Sequence, residues 1–146
     1  MKTAALHPNV RMLQTIYADL TRIGEYAADD MILHRADRAY FREAAAGRVV
    51  GRDAAVTHER DLIRLTGGTL VMDVEHISAN DHFGAVFGVL RAYRDGATLA
   101  VPFCGVWRFR DGRILEHWEN AYDLSTVQAF LAGGGTSATV AHANED

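Results

Sequence analysis

The sequence predicts an α+β domain in which two helices precede an antiparallel sheet and a third helix follows it. Apolar residues recur at helical spacing in the first half of the chain, and the period changes to two from Thr69 onward. Turn signals at Asn80-Asp81, Asp95-Gly96 and Asp111-Gly112 divide the second half into four long strands. We therefore expect a meander of four strands packed against helices.

The first helix is predicted to follow Pro8-Asn9, because proline is favoured in a first helical turn. Its apolar positions at helical spacing are Val10, Leu13, Ile16, Tyr17 and Leu20. The residues after Ala27–Asp30 read as a short strand, MILHR. The segment Ala36–Gly51 has no clear period and is expected to be a loop with a helical turn.

Asp53 is a suitable N-cap for the second helix, and Gly67-Gly68 is expected to end it. Its residues predicted to face inward are Val56, Leu62, Ile63 and Leu65. Asp123 or Ser125 is expected to cap a last helix that runs to Leu131. These elements predict a single domain over residues 1–132, and the polar tail 133–146 is expected to be disordered.

Composition excludes several classes of function. The net charge of −4 and the pI near 5.9 argue against nucleic acid and anionic membranes as partners. No apolar run approaches the ~20 residues of a membrane span. Cys104 is the single cysteine, so no internal disulfide is expected, and a cytoplasmic location follows. The histidines lack metal-ligand spacing, so neither a metal nor another cofactor is expected.

The turns also predict the register of the sheet. Two-residue turns would pair Arg110 with Arg113 and Gly88 with Phe103, and would place Trp118 opposite Gly105. One face would then carry Val86, Gly88, Leu90, Leu99, Val101, Phe103, Gly105, Trp107, Trp118, Asn120 and Tyr122. Glycines on that face leave space and allow curvature, so we expect it to line a pocket.

The opposite face is predicted to be apolar as well. It would carry Phe87, Val89, Cys104 and Val106, although the helices suffice to cover one face only. A sheet with one covered face normally shows polar residues on the other face. We therefore expect a homodimer through this outer face.

Four motifs resemble the nuclear-transport-factor-2-like superfamily: ADDMILH at Ala28–His34, GRDA at Gly51–Ala54, LTGG at Leu65–Gly68, and WRFRDGRILEHWENAYD at Trp107–Asp123. The chain is most similar to SnoaL-like polyketide cyclases and ketosteroid-isomerase-related proteins. The resemblance implies a cone-shaped α+β barrel in which a strongly curved sheet wraps around the N-terminal helices and encloses an apolar pocket. It implies no single reaction, because this fold hosts many chemistries.

The catalytic carboxylates of two related enzyme groups are missing here. Ketosteroid isomerases place an Asp base where this chain has Arg35, and an oxyanion-hole Asp where it has Gly105. Limonene-epoxide hydrolases place an Arg-x-Asp pair and an Asp at the positions of Val86, Gly88 and Asn120. Neither mechanism transfers intact.

Four residues are candidates for catalysis. Asn120 could orient a carbonyl or a water, or could simply bond neighbouring backbone. Arg35 could clamp a ligand oxygen, or could pair with Asp73 or Asp37, or lie in solvent at the rim. His34 is a candidate general base, although strict alternation places it on the face opposite Leu33.

Asp73 would face Gly88 inside the pocket, with Glu75 opposite Val86, if the turn at Asn80-Asp81 has two residues. A single bulge would turn both carboxyls outward. Inside the pocket, a carboxyl could act as acid or base. The residues predicted to bind substrate are Tyr17, Phe103, Trp118, Tyr122 and Gly88.

These residues predict a cofactor-independent enzyme that moves protons on a hydrophobic, carbonyl-bearing small molecule, in an isomerisation, cyclisation or dehydration. The alternative is a non-catalytic dimeric domain that binds a hydrophobic ligand or a protein. The two differ in whether a titratable group faces the pocket. If Asp73, His34 and Glu116 all face outward, acid–base catalysis loses its expected agents and the binding domain is favoured.

Overall fold

The computed structural model describes residues 6–133 and 138–139, which form an α+β domain with a mixed sheet. The helices are α1 Pro8–Ala18, α2 Ile23–Tyr26, α3 Arg52–Leu65 and α4 Leu124–Leu131. The strands are β1 Ala27–His34, β2 Arg48–Val50, β3 Val71–Ala79, β4 Phe83–Arg94, β5 Ala97–Arg110, β6 Arg113–Ala121 and β7 Ala138–Thr139. The strand order is β2-β1-β6-β5-β4-β3, and β7 pairs with β5.

Strands β3 to β6 form the predicted antiparallel meander, and β1 adds to it parallel to β6. β2 pairs antiparallel with β1 and lies within the segment expected to be a loop with a helical turn. The helices pack against the inner face of the sheet, where they form one buried core with β1, β4, β5 and β6. None of the helices in the described ranges is both long and apolar enough to cross a bilayer.

The helix boundaries follow local capping chemistry. His7 Nδ1 accepts a hydrogen bond from the Asn9 backbone N–H at 3.0 Å, and α1 starts at Pro8, so it includes the two residues that were expected to precede it. Asp123 caps α4 by accepting from the Thr126 N–H at 3.1 Å, so the cap is Asp123 rather than Ser125. The prediction for α3 was wrong by two residues, because Gly51 occupies the N-cap position with a φ of 101°.

The register between β4 and β5 is confirmed. Gly88 pairs with Phe103 and Val86 pairs with Gly105, as the two-residue turn at Asp95-Gly96 requires. The inner-face residues of these strands are buried and join the core, including Val86, Leu90, Leu99, Val101, Phe103 and Trp107.

The register between β5 and β6 is confirmed only beside the turn. Arg110 pairs with Arg113 and Phe109 with Ile114, as predicted. Arg108 pairs with Glu116, however, so Leu115 is an extra residue in β6. A bulge of one residue exchanges the two faces of the strand beyond it. The predicted faces of Trp118, Asn120 and Tyr122 were therefore wrong.

A second bulge changes β3. Val74 pairs with Gly88 and His76 with Phe87, so Glu75 is the extra residue of a bulge in β3. Asp73 consequently lies opposite Val89 on the outer face. The prediction that Asp73 lies opposite Gly88 inside the pocket was wrong. The alternative that a single bulge turns Asp73 outward is the one observed.

The outer face carries the residues expected there on β4 and β5, and Phe87 is 47% exposed. The homodimer through this face stays a prediction. In the tail, Ala138 and Thr139 form the short β7 beside Leu99 and Ala100. The disorder predicted for 134–137 and 140–146 concerns positions outside the described residues.

Candidate functional site

A cavity of about 340 Å³ lies between the helices and the inner face of the sheet. Five of the titratable side chains that line it come from three elements: Tyr17 from α1, His58 and Glu59 from α3, and His117 and Glu119 from β6. Much of the remaining lining is aliphatic, including Leu20, Leu62, Met72, Leu90 and Val127. A small polar cluster in an apolar cavity is the common pattern of a ligand site.

Glu59 is the most buried carboxyl in the described residues, with 3% of the residue exposed. It projects from α3 one turn after the fully buried Ala55, so the helix directs it into the core. No hydrogen bond joins its carboxyl to another described residue. Burial, together with the nearby Glu119 carboxylate, raises the pKa of Glu59 from 4.5 to about 8. At neutral pH the carboxyl is therefore mostly protonated.

Glu119 is held in the opposite state. Burial opposes its charge, but His58 Nε2 donates a hydrogen bond to it at 2.9 Å and the Ala36 N–H donates another, and together they lower the pKa of Glu119. Burial likewise disfavours the His58 cation, yet Glu119 and Glu59 outweigh this effect and raise the pKa of His58. The hydrogen bond between them thus favours the charged form of each group.

The donor atoms of His58, Glu59 and Glu119 lie within 4.8 Å of one another, which is close enough to share a cation. A hydrogen bond joins His58 to Glu119, and Glu59 adds a carboxyl whose pKa is raised. The three residues therefore form one cluster of acid and base groups.

His117 is neutral and acts as an acceptor. Its Nδ1 lies 3.1 Å from the Val106 carbonyl oxygen, which can only accept, so Nδ1 carries the proton and Nε2 is the acceptor. Its ring stacks on the indole of Trp107 with centroids 3.5 Å apart. Burial lowers the pKa of His117 to about 4.

Tyr17 places a phenol over the centre of the sheet. Trp107 Nε1 donates to the Tyr17 hydroxyl at 3.2 Å, which leaves the hydroxyl proton available for a ligand. A side chain at Gly105 would collide with this hydroxyl, so glycine is required beneath it. Tyr17 also stacks on Phe103 with centroids 5.6 Å apart, and burial raises the pKa of its phenol. The predictions for Tyr17 and Phe103 agree with this placement.

Arg35 lies at the edge of the cavity and is paired with Asp37. Its Nε and Nη2 donate to the two carboxylate oxygens at 2.9 and 2.8 Å, and its guanidinium lies 5.1 Å from the Phe41 ring centroid. Of the alternatives considered for Arg35, the pair with Asp37 is the one observed. Both side chains line the cavity, but the charge of each is balanced by the other in this ion pair.

Asn120 lies at the border of the cavity with both ends of its amide engaged. Its Nδ2 donates to the Cys104 carbonyl at 3.0 Å, and its Oδ1 accepts from Arg38 Nη2 at 2.8 Å. Arg38 also donates to the Glu119 carbonyl at 2.6 Å. The amide thus connects the segment after β1 to the sheet. Its hydrogen bonds correspond to the alternative in which Asn120 bonds neighbouring protein groups rather than a substrate.

His34 and Trp118 lie together on the outer face. Their rings stack with centroids 5.0 Å apart, and His34 Nε2 donates to Glu116 at 2.8 Å. Arg108 donates to the other oxygen of Glu116. The predictions of Trp118 as a pocket wall and His34 as a pocket base were therefore wrong, since both lie outside the cavity.

The remaining predicted site residues also lie away from the cavity. Asp73 is exposed and forms an ion pair with Arg91 at 3.1 Å. Tyr122 is 77% exposed, because the bulge at Leu115 turns it outward. Gly88 faces inward, but a side chain there would collide with the Asp73 backbone and the Phe103 ring, so the glycine makes room for neighbouring protein atoms rather than for a ligand.

The cluster of His58, Glu59, His117 and Glu119 was missed, although the sequence held signals for it. Glu59 occupies a helical position between Ala55 and Leu62, on the apolar face of α3. Ile114 and Leu115 are consecutive apolar residues, which break the alternation of a strand where the bulge occurs. Asp73, His34 and Glu116 do face outward, but α3 and β6 supply other titratable groups.

This fold and cavity define a small α+β domain with an internal acid–base cluster. The chain belongs to the SnoaL-like domain family, whose model matches residues 15–117. No curated protein sequence matches the chain.

Solved structures share the fold. Bal32a, from a soil-derived mobile gene cassette, is 25% identical with a TM-score of 0.71, over 85% of this chain and 96% of that one. A candidate SnoaL-like polyketide cyclase from Jannaschia sp. CCS1 is 15% identical with a TM-score of 0.69, over 91% and 98%. IdmH, a candidate polyketide cyclase from Streptomyces antibioticus, is 17% identical with a TM-score of 0.67, over 86% and 99%.

Proposed function

We propose that this protein is a cofactor-independent enzyme that moves a proton on a hydrophobic, carbonyl-bearing small molecule. The observation that carries the proposal is Glu59, a buried carboxyl without a hydrogen-bond partner among the described residues, in a cavity that can hold a ligand. A general base works best when its pKa is near the working pH. The pKa of about 8 for Glu59 meets this condition.

The proposed step is the removal of a proton from the carbon beside the carbonyl. The ionised form of Glu59 takes the proton, the electrons of the C–H bond form the enolate, and the negative charge develops on the carbonyl oxygen. Tyr17 donates its hydroxyl proton in a hydrogen bond to that oxygen. Glu59 then returns its proton to the same or another carbon, which gives an isomerisation or starts a cyclisation.

The other polar residues set the protonation state of Glu59. The Glu119 carboxylate, held by His58, disfavours a second negative charge nearby and so makes Glu59 a stronger base when it ionises. His117 offers a neutral acceptor for a ligand hydroxyl. A cone-shaped, strongly curved sheet around the helices, as the family resemblance implies, would exclude water from this cluster. The polyketide cyclase description of IdmH agrees with a substrate of this class.

The test is proton exchange, which requires no knowledge of the natural product formed. A panel of aryl ketones and β-diketones is incubated with the protein in D₂O and EDTA, and loss of the α-proton signal is followed by NMR. We expect exchange with wild type and a loss of at least about 100-fold with Glu59→Gln, since a positioned base contributes ~10²–10⁴-fold. Asp73→Asn, on the outer face, is the matched control and should exchange at the wild-type rate.

The alternative function, a non-catalytic binder of hydrophobic ligands, predicts a different result. Ligands would then shift the tryptophan fluorescence on binding, but no member of the panel would exchange its α-proton faster than in buffer. Equal exchange by wild type and Glu59→Gln would also exclude Glu59 as the base.

A further inference from the structure

The cavity has a buried polar part. Glu59, His117 and Tyr17 are 3%, 5% and 7% exposed, and they lie beside the buried ring of Trp107. Leu65, an apolar residue that also lines the cavity, is 49% exposed. Leu65 and Leu131 form an apolar section of the cavity's edge, here called the rim, although Asp61 and Gln128 also line the cavity. A ligand with one polar and one apolar end would match both the buried acid–base groups, here called the polar floor, and this rim.

The rim has a defined place in the fold. Leu65 ends α3 and Leu131 ends α4, and Arg94 donates from Nη1 to the backbone carbonyls of both residues, at 3.1 and 2.9 Å. Leu65 lies six residues after Glu59 on the same helix, which corresponds to about 9 Å along the axis. Leu62 and Met72 line the cavity as well, so the path from the polar floor includes an apolar wall.

We infer that the ligand is a head-and-tail amphiphile whose carbonyl end enters first and whose apolar tail lies along α3 and reaches solvent beside the exposed side chain of Leu65. The chemistry of the head rests on the proposed function, whereas the direction of the tail rests on the lining residues alone. Arg35 and Asp37 also border the cavity, but their ion pair is satisfied and demands no charge on the ligand.

The test is calorimetric titration with methyl n-alkyl ketones, from butyl to dodecyl. Each methylene that enters an apolar environment should raise the affinity roughly fourfold. We expect this increase to continue until the tail passes the rim, about 9 Å from Glu59, and then to stop. Affinity that is independent of chain length, or no binding by any member, would overturn the inference.

Two variants test the direction of binding. Tyr17→Phe should lower the affinity of every ketone by a similar factor, roughly 2- to 10-fold, because it removes one hydrogen bond to the head. Leu65→Ala should weaken only the long ketones. Val71→Ala, an exposed apolar residue outside the cavity, is the control and should change neither group. If Leu65→Ala weakens short and long ketones alike, the head lies at the rim and the inference is wrong.

The proposed reaction and the proposed direction of binding can be refuted independently of each other. Ketones that bind with the expected length dependence but exchange no proton would contradict the proposed function and leave the head-and-tail ligand intact. Exchange without any length dependence would support the proposed base and overturn the head-and-tail ligand.

Discussion

Replacement of Glu59 by glutamine should make the protein's stability less sensitive to a rise in pH between the unfolded and the folded pKa of Glu59, from 4.5 to about 8. The pKa of Glu59 is raised from 4.5 to about 8 in the folded state, first by burial and then by the charge of Glu119. As the pH rises through this interval, the unfolded chain releases its proton while the folded chain retains it. The wild type therefore loses stability as the pH rises through the interval, and Glu59→Gln lacks this contribution.

The size of the effect follows from the width of the interval. Each pH unit between the two pKa values corresponds to about 1.4 kcal/mol, so the variant should gain roughly 3 kcal/mol over wild type between about pH 4.5 and 7. The gain should level off above the folded pKa of about 8. The ion pair of His58 and Glu119 is present in both proteins, so its own pH dependence largely cancels in the difference.

The assay is urea unfolding at a series of pH values, followed by the fluorescence of Trp107 and Trp118. Glu116→Gln is the matched control on the outer face. Burial opposes the charge of Glu116, but the hydrogen bonds from His34 and Arg108 outweigh it and lower its pKa, so wild type should lose its advantage over this variant as the pH falls. A constant difference between wild type and Glu59→Gln across this range would refute the reasoning.

Three further outcomes are expected. The proton-exchange rate of wild type should rise with pH, reach half its maximum near pH 8 and level off above that pH, as the Glu59 base becomes fully ionised; a rate that falls over this range in NMR assays would identify an acid instead. Gly105→Ala should destabilise by roughly 1–3 kcal/mol in urea unfolding, and Tyr17→Phe should restore part of that loss, because the added methyl collides with the Tyr17 hydroxyl. If Tyr17→Phe restores none of the lost stability, the added methyl does not collide with the Tyr17 hydroxyl. Arg94→Met should cost roughly 1–3 kcal/mol by the same measurement, since two helix-end carbonyls lose a charged donor, and an unchanged midpoint would show that water replaces it.

The elements of the fold were largely predictable, because each has a local cause. Pro8 and Asp123 mark helix starts, and Gly67 and Gly68 take positive φ where α3 ends. The turns at Asp95-Gly96 and Asp111-Gly112 have the positive φ values that two-residue hairpins require. These preferences depend on a few neighbouring residues.

The site was harder to predict, because it depends on which face each strand presents. The extra residue at Leu115 places His117 and Glu119 on the inner face of β6, where Trp118 and Asn120 were predicted. The extra residue at Glu75 places Asp73 on the outer face. Alternation has a period of two, so an error of one residue reverses the assignment of the whole strand.

The sequence by itself determined the order of elements, the meander, the family resemblance, and Tyr17 and Phe103 as pocket residues. Only the tertiary structure decided which acid and base groups meet. Glu59 on α3 and Glu119 on β6 are 60 residues apart in the chain, and their pKa values separate because both are buried beside each other and beside His58. The sequence of the β5–β6 hairpin therefore predicted a pocket, but the bulge at Leu115 determined which side chains of β6 line it.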